Sequence, residues 1–273
     1  MTPGYRWRRQ EVLDGRWCGC LASGKPGAAG AARDLNRKAP AMIDKANADR
    51  RVAVVTGGSG AIGGAIAARL RPDHTVVVLD RRGDIAVDLG DPVEVRRAAD
   101  AVLDRYGRCD VLVHAAAKVA FGPFDEFELE VWRQVQAVNV ESALLLAQAF
   151  VPGMRDRGFG RVIFIVSNSY SSPPGAHMLA YIASKGALIG MARARGRARR
   201  RPHRRDGRRP GLTRTPAADV VPAEEFADVS AHQALPRPLT PDDTAAVVAM
   251  LAGDDAAALT GQTLTVDGGL VLR

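Results

Sequence analysis

Cysteine is scarce: the 273 residues hold three, Cys18, Cys20 and Cys109. An odd count, with two of them in one Cys-Gly-Cys, makes no disulfide framework. The pair also offers too few ligands for a metal site, so these residues read as adventitious thiols in a reducing compartment. No apolar run approaches the length of a membrane-spanning helix. The basic N-terminal stretch lacks the apolar centre of a signal peptide, and a cytoplasmic chain with no membrane partner is expected. Internal repeats are missing too, and aromatic residues make up only 5% of the chain. What remains is 47% hydrophobic and 25% charged. That composition suits one large α/β domain or two small ones, and excludes collagen-like, wholly disordered and disulfide-stapled chains.

Acidic residues are outnumbered, 30 against 38 basic, which gives a formal charge of +8. The imbalance is local. Residues 1–50 carry +5, residues 51–192 are neutral, residues 193–209 carry +9 and residues 210–273 carry −6. The segments that read as a folded body are therefore acidic, and the charge suggestive of a nucleic-acid partner sits in a leader and one arginine run. Residues 1–50 show no sustained periodicity and read as a disordered leader. Met42 stands nine residues before the first strand. It is taken as the true start, with the leader an over-called extension that intact mass would test.

From residue 51 the pattern alternates. Buried strands are expected at Arg51–Thr56, His74–Asp80, Asp84–Asp88, Asp110–His114, Arg161–Val166 and Gln262–Asp267. Helices are expected at Ala61–Leu70, after Asp91-Pro92, over Phe127–Met154, from Tyr181 to about Ala192, and after Thr240-Pro241. The Asp/Pro/Glu order at 91, 92 and 94 is a helix-start signature. Near-continuous Val/Ile/Leu strands alternating with helices imply a parallel sheet covered on both faces.

The first strand runs into Thr56-Gly-Gly-Ser-Gly-Ala-Ile-Gly63. Glycines at a first strand–helix junction let the backbone approach a pyrophosphate at the positive end of a helix. Asp80 ends the second strand, where a carboxylate takes both hydroxyls of an NAD ribose and repels a 2′-phosphate. Arg81 and Arg82 follow and offer the opposite preference; NAD is favoured over NADP. Tyr181-Ile-Ala-Ser-Lys185 sets a phenol and an ammonium four apart on one helix face. A nearby cation favours phenolate and suits the tyrosine to proton transfer.

Taken together, these motifs resemble the short-chain dehydrogenase/reductase family of the classical single-domain kind. The residues that carry the resemblance are 56–63, Asp80, Asp88-Leu89, Val138-Asn139-Val140, 160–167, Tyr181–Lys185, 210–215 and 259–269. The resemblance implies a Rossmann-like doubly wound sheet, NAD(P) as cofactor, and hydride exchange between a secondary alcohol and its ketone. It implies Tyr181 as general acid/base, Lys185 lowering its pKa and holding the nicotinamide ribose, and Ser167 bonding the substrate oxygen. Asn139 would kink its helix and hold a relay water. The cofactor would be held by Gly57, Ser59, Ile62, Gly63, Asp80, Arg81, Asp88, Leu89, Ala115, Tyr181, Lys185, Pro210, Gly211 and Thr213. Asp88 and Leu89 would flank the adenine, and Pro210-Gly211 with Thr213 the carboxamide. A homodimer or homotetramer is implied as well.

The chain departs from the family pattern in places. The middle glycine of the turn is replaced by Ala61, and His114-Ala-Ala-Ala117 stands for the usual Asn-Asn-Ala-Gly. The link from Asp80 to the third strand is too short for a helix. Counting back from Tyr181 puts the serine position on Asn168, whereas strand register puts it on Ser167, with Ser169 as runner-up; register is preferred because loops take insertions. His177 and Met178 read as loop packing, and Trp132 as helix packing.

Residues 193–209 carry ten arginines and no Val, Ile, Leu or Phe where the pattern needs the rest of a helix and a buried strand. Three readings arise: a basic loop for nucleic acid or phosphate, a solvated insertion, and an out-of-frame stretch between compensating frame errors. An insertion should add length, and this one does not. The third is preferred, and nucleotide sequence tests it, since the alternative frame should encode an apolar strand before Pro210. Losing that strand would forfeit on the order of 10 kcal/mol, comparable with the stability of a whole domain. The expectation is thus one domain over residues 51–273 with the strand before Pro210 lost or disordered, and with activity impaired. The alternative function is a catalytically inactive Rossmann-like protein with a basic nucleic-acid-binding segment.

Overall fold

Among the described residues, the computed structural model has seven strands: β1 (Arg51–Thr56), β2 (His74–Asp80), β3 (Ile85–Ala86), β4 (Val111–His114), β5 (Arg161–Ile165), β6 (Arg204–Pro210) and β7 (Thr263–Val266). They form one parallel sheet in the order β3-β2-β1-β4-β5-β6-β7. The structure describes residues 50–171, 176–196, 204–210 and 231–270. All of these fall within one unit, Met42–Arg273. The leader 1–49, Met42 included, lies outside the described residues. Arg50 does not behave as leader: its guanidinium donates to the carbonyls of Arg71 and Pro72, each at 2.6 Å.

Helices cover both faces of the sheet. One apolar layer packs β1, β2, β4 and β5 residues such as Val54, Leu79, Leu112 and Phe164 against α2 (Pro92–Tyr106), α4 (Ser142–Asp156) and α5 (Leu179–Gly196). The other sets Ala53, Val55, Val113 and Ile163 against α1 (Ala61–Leu70) and α6 (Pro241–Ala252). Successive strand residues alternate between the two layers, which is why the strands read as unbroken apolar runs rather than alternating ones.

Helix ends follow the sequence signals. The Asp91 carboxylate accepts from Val93 N at 2.7 Å and Glu94 N at 3.3 Å, and Gly107 closes α2 at φ +67°. Asp243 Oδ2 accepts from Thr240 N at 2.8 Å at the start of α6. The stretch expected as one helix from Phe127 is α3 (Leu129–Gln136), a π-turn over Ala137–Glu141, and α4. Together, Leu129–Asp156 is long and apolar enough to cross a membrane by length and composition. This corrects the expectation that no apolar run reaches that length. The helix spends its apolar face in the core: Ala143, Leu146, Phe150 and Met154 are all buried.

Among the described residues no helix joins β2 to β3. The chain turns at once, with Gly83 N and Val87 N both donating to the Asp80 carbonyl, and pairs only two residues.

The expected loss of the strand before Pro210 is corrected. The backbone of residues 204–210 forms β6, paired parallel with β5 on one side and β7 on the other. The physical reason is that ladder hydrogen bonds are made by main-chain groups whatever the side chain. A sheet that continues from β5 to β7 needs a strand in that gap.

Candidate active site

Strand order reverses between β1 and β4, and ligands of open α/β sheets bind at the carboxyl ends of the strands flanking such a switch point. The turn after β1 and the segment after β4 meet there. Gly57 has φ +69°, and a Cβ on it would stand 2.7 Å from the backbone of Ala116. A Cβ on Gly63 would collide with the Gly57 carbonyl. Helix α1 opens on Gly60 with no side-chain cap and no acid in its first turn, whereas α2 has both. A tight glycine turn before an uncapped, acid-free helix start fits an anionic group such as a dinucleotide pyrophosphate.

Ser59 N donates to Asp80 Oδ2 at 3.2 Å, and the Ser59 hydroxyl donates to the Arg82 carbonyl at 3.2 Å. These bonds fasten the turn to the end of β2 and set the Asp80 carboxylate beside it. Arg81 and Arg82 are exposed. Asp88 Oδ1 accepts from Gly90 N at 2.8 Å, while Leu89 is buried in the core layer. Ile62 packs against the opposite core layer. Ala115 N donates to Thr56 Oγ1 at 3.2 Å. Pro210 is the last residue of β6, in register with Val266. Gly211 and Thr213 lie outside the described residues.

The proton-transfer candidates converge. Ser167 follows β5, and its hydroxyl is near enough to the Tyr181 side chain to draw the phenol pKa down. Ser169, the runner-up, is buried and donates its hydroxyl to Ser167 Oγ at 2.8 Å, so it stands behind Ser167. Asn168 opens the short 3₁₀ turn over Asn168–Tyr170. Lys185 is 1% exposed and donates from Nζ to the Ile165 carbonyl at 2.7 Å. Its Nζ lies 5.4 Å from the Tyr181 ring centroid.

Burial pulls the Lys185 pKa down to about 7. Burial also pushes the Tyr181 phenol above its ordinary value, and the Ser167 hydrogen bond only partly offsets this. The expected lowering of Tyr181 by Lys185 is thus not what this geometry gives. Desolvation disfavours both charged forms, and at Tyr181 it outweighs the Ser167 hydroxyl.

Asn139 sits in the π-turn, fully buried. Its Oδ1 accepts from Lys118 N at 2.7 Å, and its Nδ2 donates to the Lys118 carbonyl at 3.0 Å and to Ser184 Oγ at 2.9 Å. Ser184 Oγ in turn donates to the Tyr181 carbonyl at 2.7 Å. A widened turn within a continuous helix is a frequent mark of a functional position.

Several neighbours were not singled out from the sequence. Thr56, Lys118 and Ser184 carry the bonds around Asn139 and the turn, and His114 was noted only as a departure from pattern. A signal existed for His114, the single polar side chain of the buried strand Val-Leu-Val-His. His177 stacks on Phe121 with ring centroids 5.8 Å apart, and its carbonyl accepts from Gly122 N at 3.0 Å. Trp132 lies in α3.

Comparison with known proteins bears on this arrangement. A family model described as enoyl-(acyl carrier protein) reductase matches residues 62–271. A putative ketoacyl reductase of granaticin polyketide synthesis from Streptomyces violaceoruber is 31% identical, over 85% of this chain and 97% of its own length. D-threitol dehydrogenase from Mycolicibacterium smegmatis is 28% identical over 82% and 94%. Among solved structures, ligand-free aldohexose dehydrogenase from Thermoplasma acidophilum superposes with a TM-score of 0.75 at 26% identity, covering 83% of this chain and 96% of that one. A blue fluorescent protein from a metagenomic library, solved in complex with NADPH, gives 0.72 at 31%, covering 83% and 100%. The fold and the relatives define an oxidoreductase built on a dinucleotide-binding sheet. The chain belongs to the short-chain dehydrogenase/reductase family.

Proposed function

We propose that the protein exchanges a hydride between a secondary alcohol and its ketone, with Ser167, Tyr181 and Lys185 as the proton-handling group. The observation that carries this reading is the meeting of these three side chains at the carboxyl end of β5. The nicotinamide cofactor supplies or receives the hydride when bound. In the reducing direction Tyr181 gives its hydroxyl proton to the carbonyl oxygen while Ser167 donates a hydrogen bond to the same oxygen. In the oxidising direction the phenol takes the proton back. Lys185 holds a ribose hydroxyl and steadies the charge that passes through Tyr181. Asn139 orders the helix behind them and holds a relay water.

Gly57, Ser59, Ile62 and Gly63 would hold the pyrophosphate, and Asp88, Leu89 and Ala115 the adenine side. Pro210, Gly211 and Thr213 would hold the carboxamide. Asp80 supports NAD over NADP, because its carboxylate is fixed beside the turn by Ser59 N. The ribose hydroxyls then find an acceptor where a 2′-phosphate meets like charge. A homo-oligomer is the assembly this reading takes from the family resemblance. The alternative of an inactive protein with a nucleic-acid tether is less favoured, since β6 draws residues 204–210 into the sheet.

The test is an absorbance assay of the reduced nicotinamide, with NAD⁺ or NADP⁺ and a panel of secondary alcohols. Turnover with NAD⁺ above NADP⁺, cut by about a hundredfold or more in Tyr181→Phe, is expected. Turnover that survives Tyr181→Phe undiminished contradicts the assignment.

A further inference from the structure

We infer that His114 is a positioning residue that ties the cofactor turn to the proton-transfer helix by holding the main-chain carbonyl of Asn139. The inference rests on the oxidoreductase reading above. His114 ends β4 and is fully buried. Its Nδ1 lies 2.9 Å from Thr56 Oγ1 and its Nε2 lies 3.1 Å from the Asn139 carbonyl.

Hydrogen-bond accounting assigns the tautomer. A carbonyl only accepts, so Nε2 carries the proton. Thr56 Oγ1 already accepts from Ala115 N and Ala116 N, each at 3.2 Å, so its own proton goes to Nδ1. Every polar atom of the pair is then satisfied by a neutral ring. Burial and the nearby Lys185 charge both disfavour a second proton and hold the ring neutral down to about pH 3.

The bond matters because of where it lands. Asn139 lies inside the π-turn, where the ordinary helical ladder is interrupted. The same residue holds Lys118 on one side and Ser184 on the other, and Ser184 reaches the Tyr181 carbonyl. A continuous path therefore runs from Thr56, next to Gly57, through His114 and Asn139 to the helix that presents Tyr181. A phenyl ring at position 114 keeps bulk and loses both bonds. An asparagine keeps one donor and one acceptor.

Two measurements test it. Long-range nitrogen–proton spectra of uniformly labelled protein near neutral pH should show a neutral histidine protonated on Nε2, missing from His114→Asn. At saturating cofactor, His114→Phe should lower kcat by about tenfold, with substrate KM and cofactor Kd nearly unchanged, and His114→Asn should recover most of it. A ring protonated on Nδ1 or on both nitrogens overturns the inference. So does a His114→Phe protein that turns over like wild type, or a loss that asparagine leaves in place. A wild type that binds cofactor and shows the Nε2 signal but turns nothing over counts against the oxidoreductase reading and supports the assignment at His114.

Discussion

Lys185 and His114 show burial working on two basic side chains in one site. Both are held below their ordinary pKa, to about 7 and about 3. For His114 the consequence for stability has a definite sign. The unfolded chain takes up the proton as pH falls through the ordinary 6.5, while the folded chain resists until about 3. This contribution is complete above 6.5 and is lost as pH falls through that window. Between about pH 7 and pH 4 it amounts to about 3 kcal/mol. Urea unfolding across that range should show wild type losing about that much more than His114→Asn; parallel pH curves for the two proteins would contradict the buried neutral ring. Tyr181, Lys185 and Ser167 were legible in the sequence because they fall at fixed spacings on one helix and one strand end. His114 was not, because its partners Thr56 and Asn139 are distant in sequence, and only the β1–β4 pairing and the π-turn bring them to it.

Strand β4 is anchored by Asp110, fully buried just before it. Its carboxylate takes Arg108 at 2.7 Å, Arg157 at 3.2 Å and Val52 N at 2.9 Å. Its own N–H and carbonyl reach Val52 and Arg161 of the flanking strands. One residue thus sets the relative height of β1, β4 and β5, and with it where Thr56, His114 and Ser167 emerge at the other end. Asp110→Ala should cost about 3 kcal/mol, toward the low end for a broken buried pair because the two arginines retain contact with water. Chemical denaturation measures this, and a cost under about 1 kcal/mol would show that the strands hold register without it. At this scale periodicity and capping signals agree: β1, α1 and β2 have the expected limits, and α2 its expected Asp91 cap. Those signals are silent where a global feature decides. The π-turn leaves apolar spacing intact on both sides, so Phe127–Met154 looked like one regular helix.

The whole molecule turns on a contrast between β6 and its neighbours. Its backbone fills the gap between β5 and β7, yet its residues are Arg-Arg-Asp-Gly-Arg-Arg-Pro where the other strands of the sheet interior carry Val, Ile and Leu. Local composition argued against a strand, since burying unpaired charge is costly. Sheet topology calls for one, because β5 and β7 lie on either side of the gap. The +8 formal charge of the chain accordingly describes its leader and residues 193–209 and not the neutral and acidic parts that build the site. The central claim is that this sheet still brings Tyr181 to a carbonyl oxygen during hydride transfer. The direct measurement uses a panel of secondary alcohols deuterated at the carbinol carbon, incubated with NAD⁺ and the full-length protein, with the reduced cofactor analysed by mass spectrometry. The account predicts that the reduced cofactor carries the deuterium in wild type and that none forms above background in Tyr181→Phe. Reduced cofactor without the label, or equal labelling by both proteins, would contradict it.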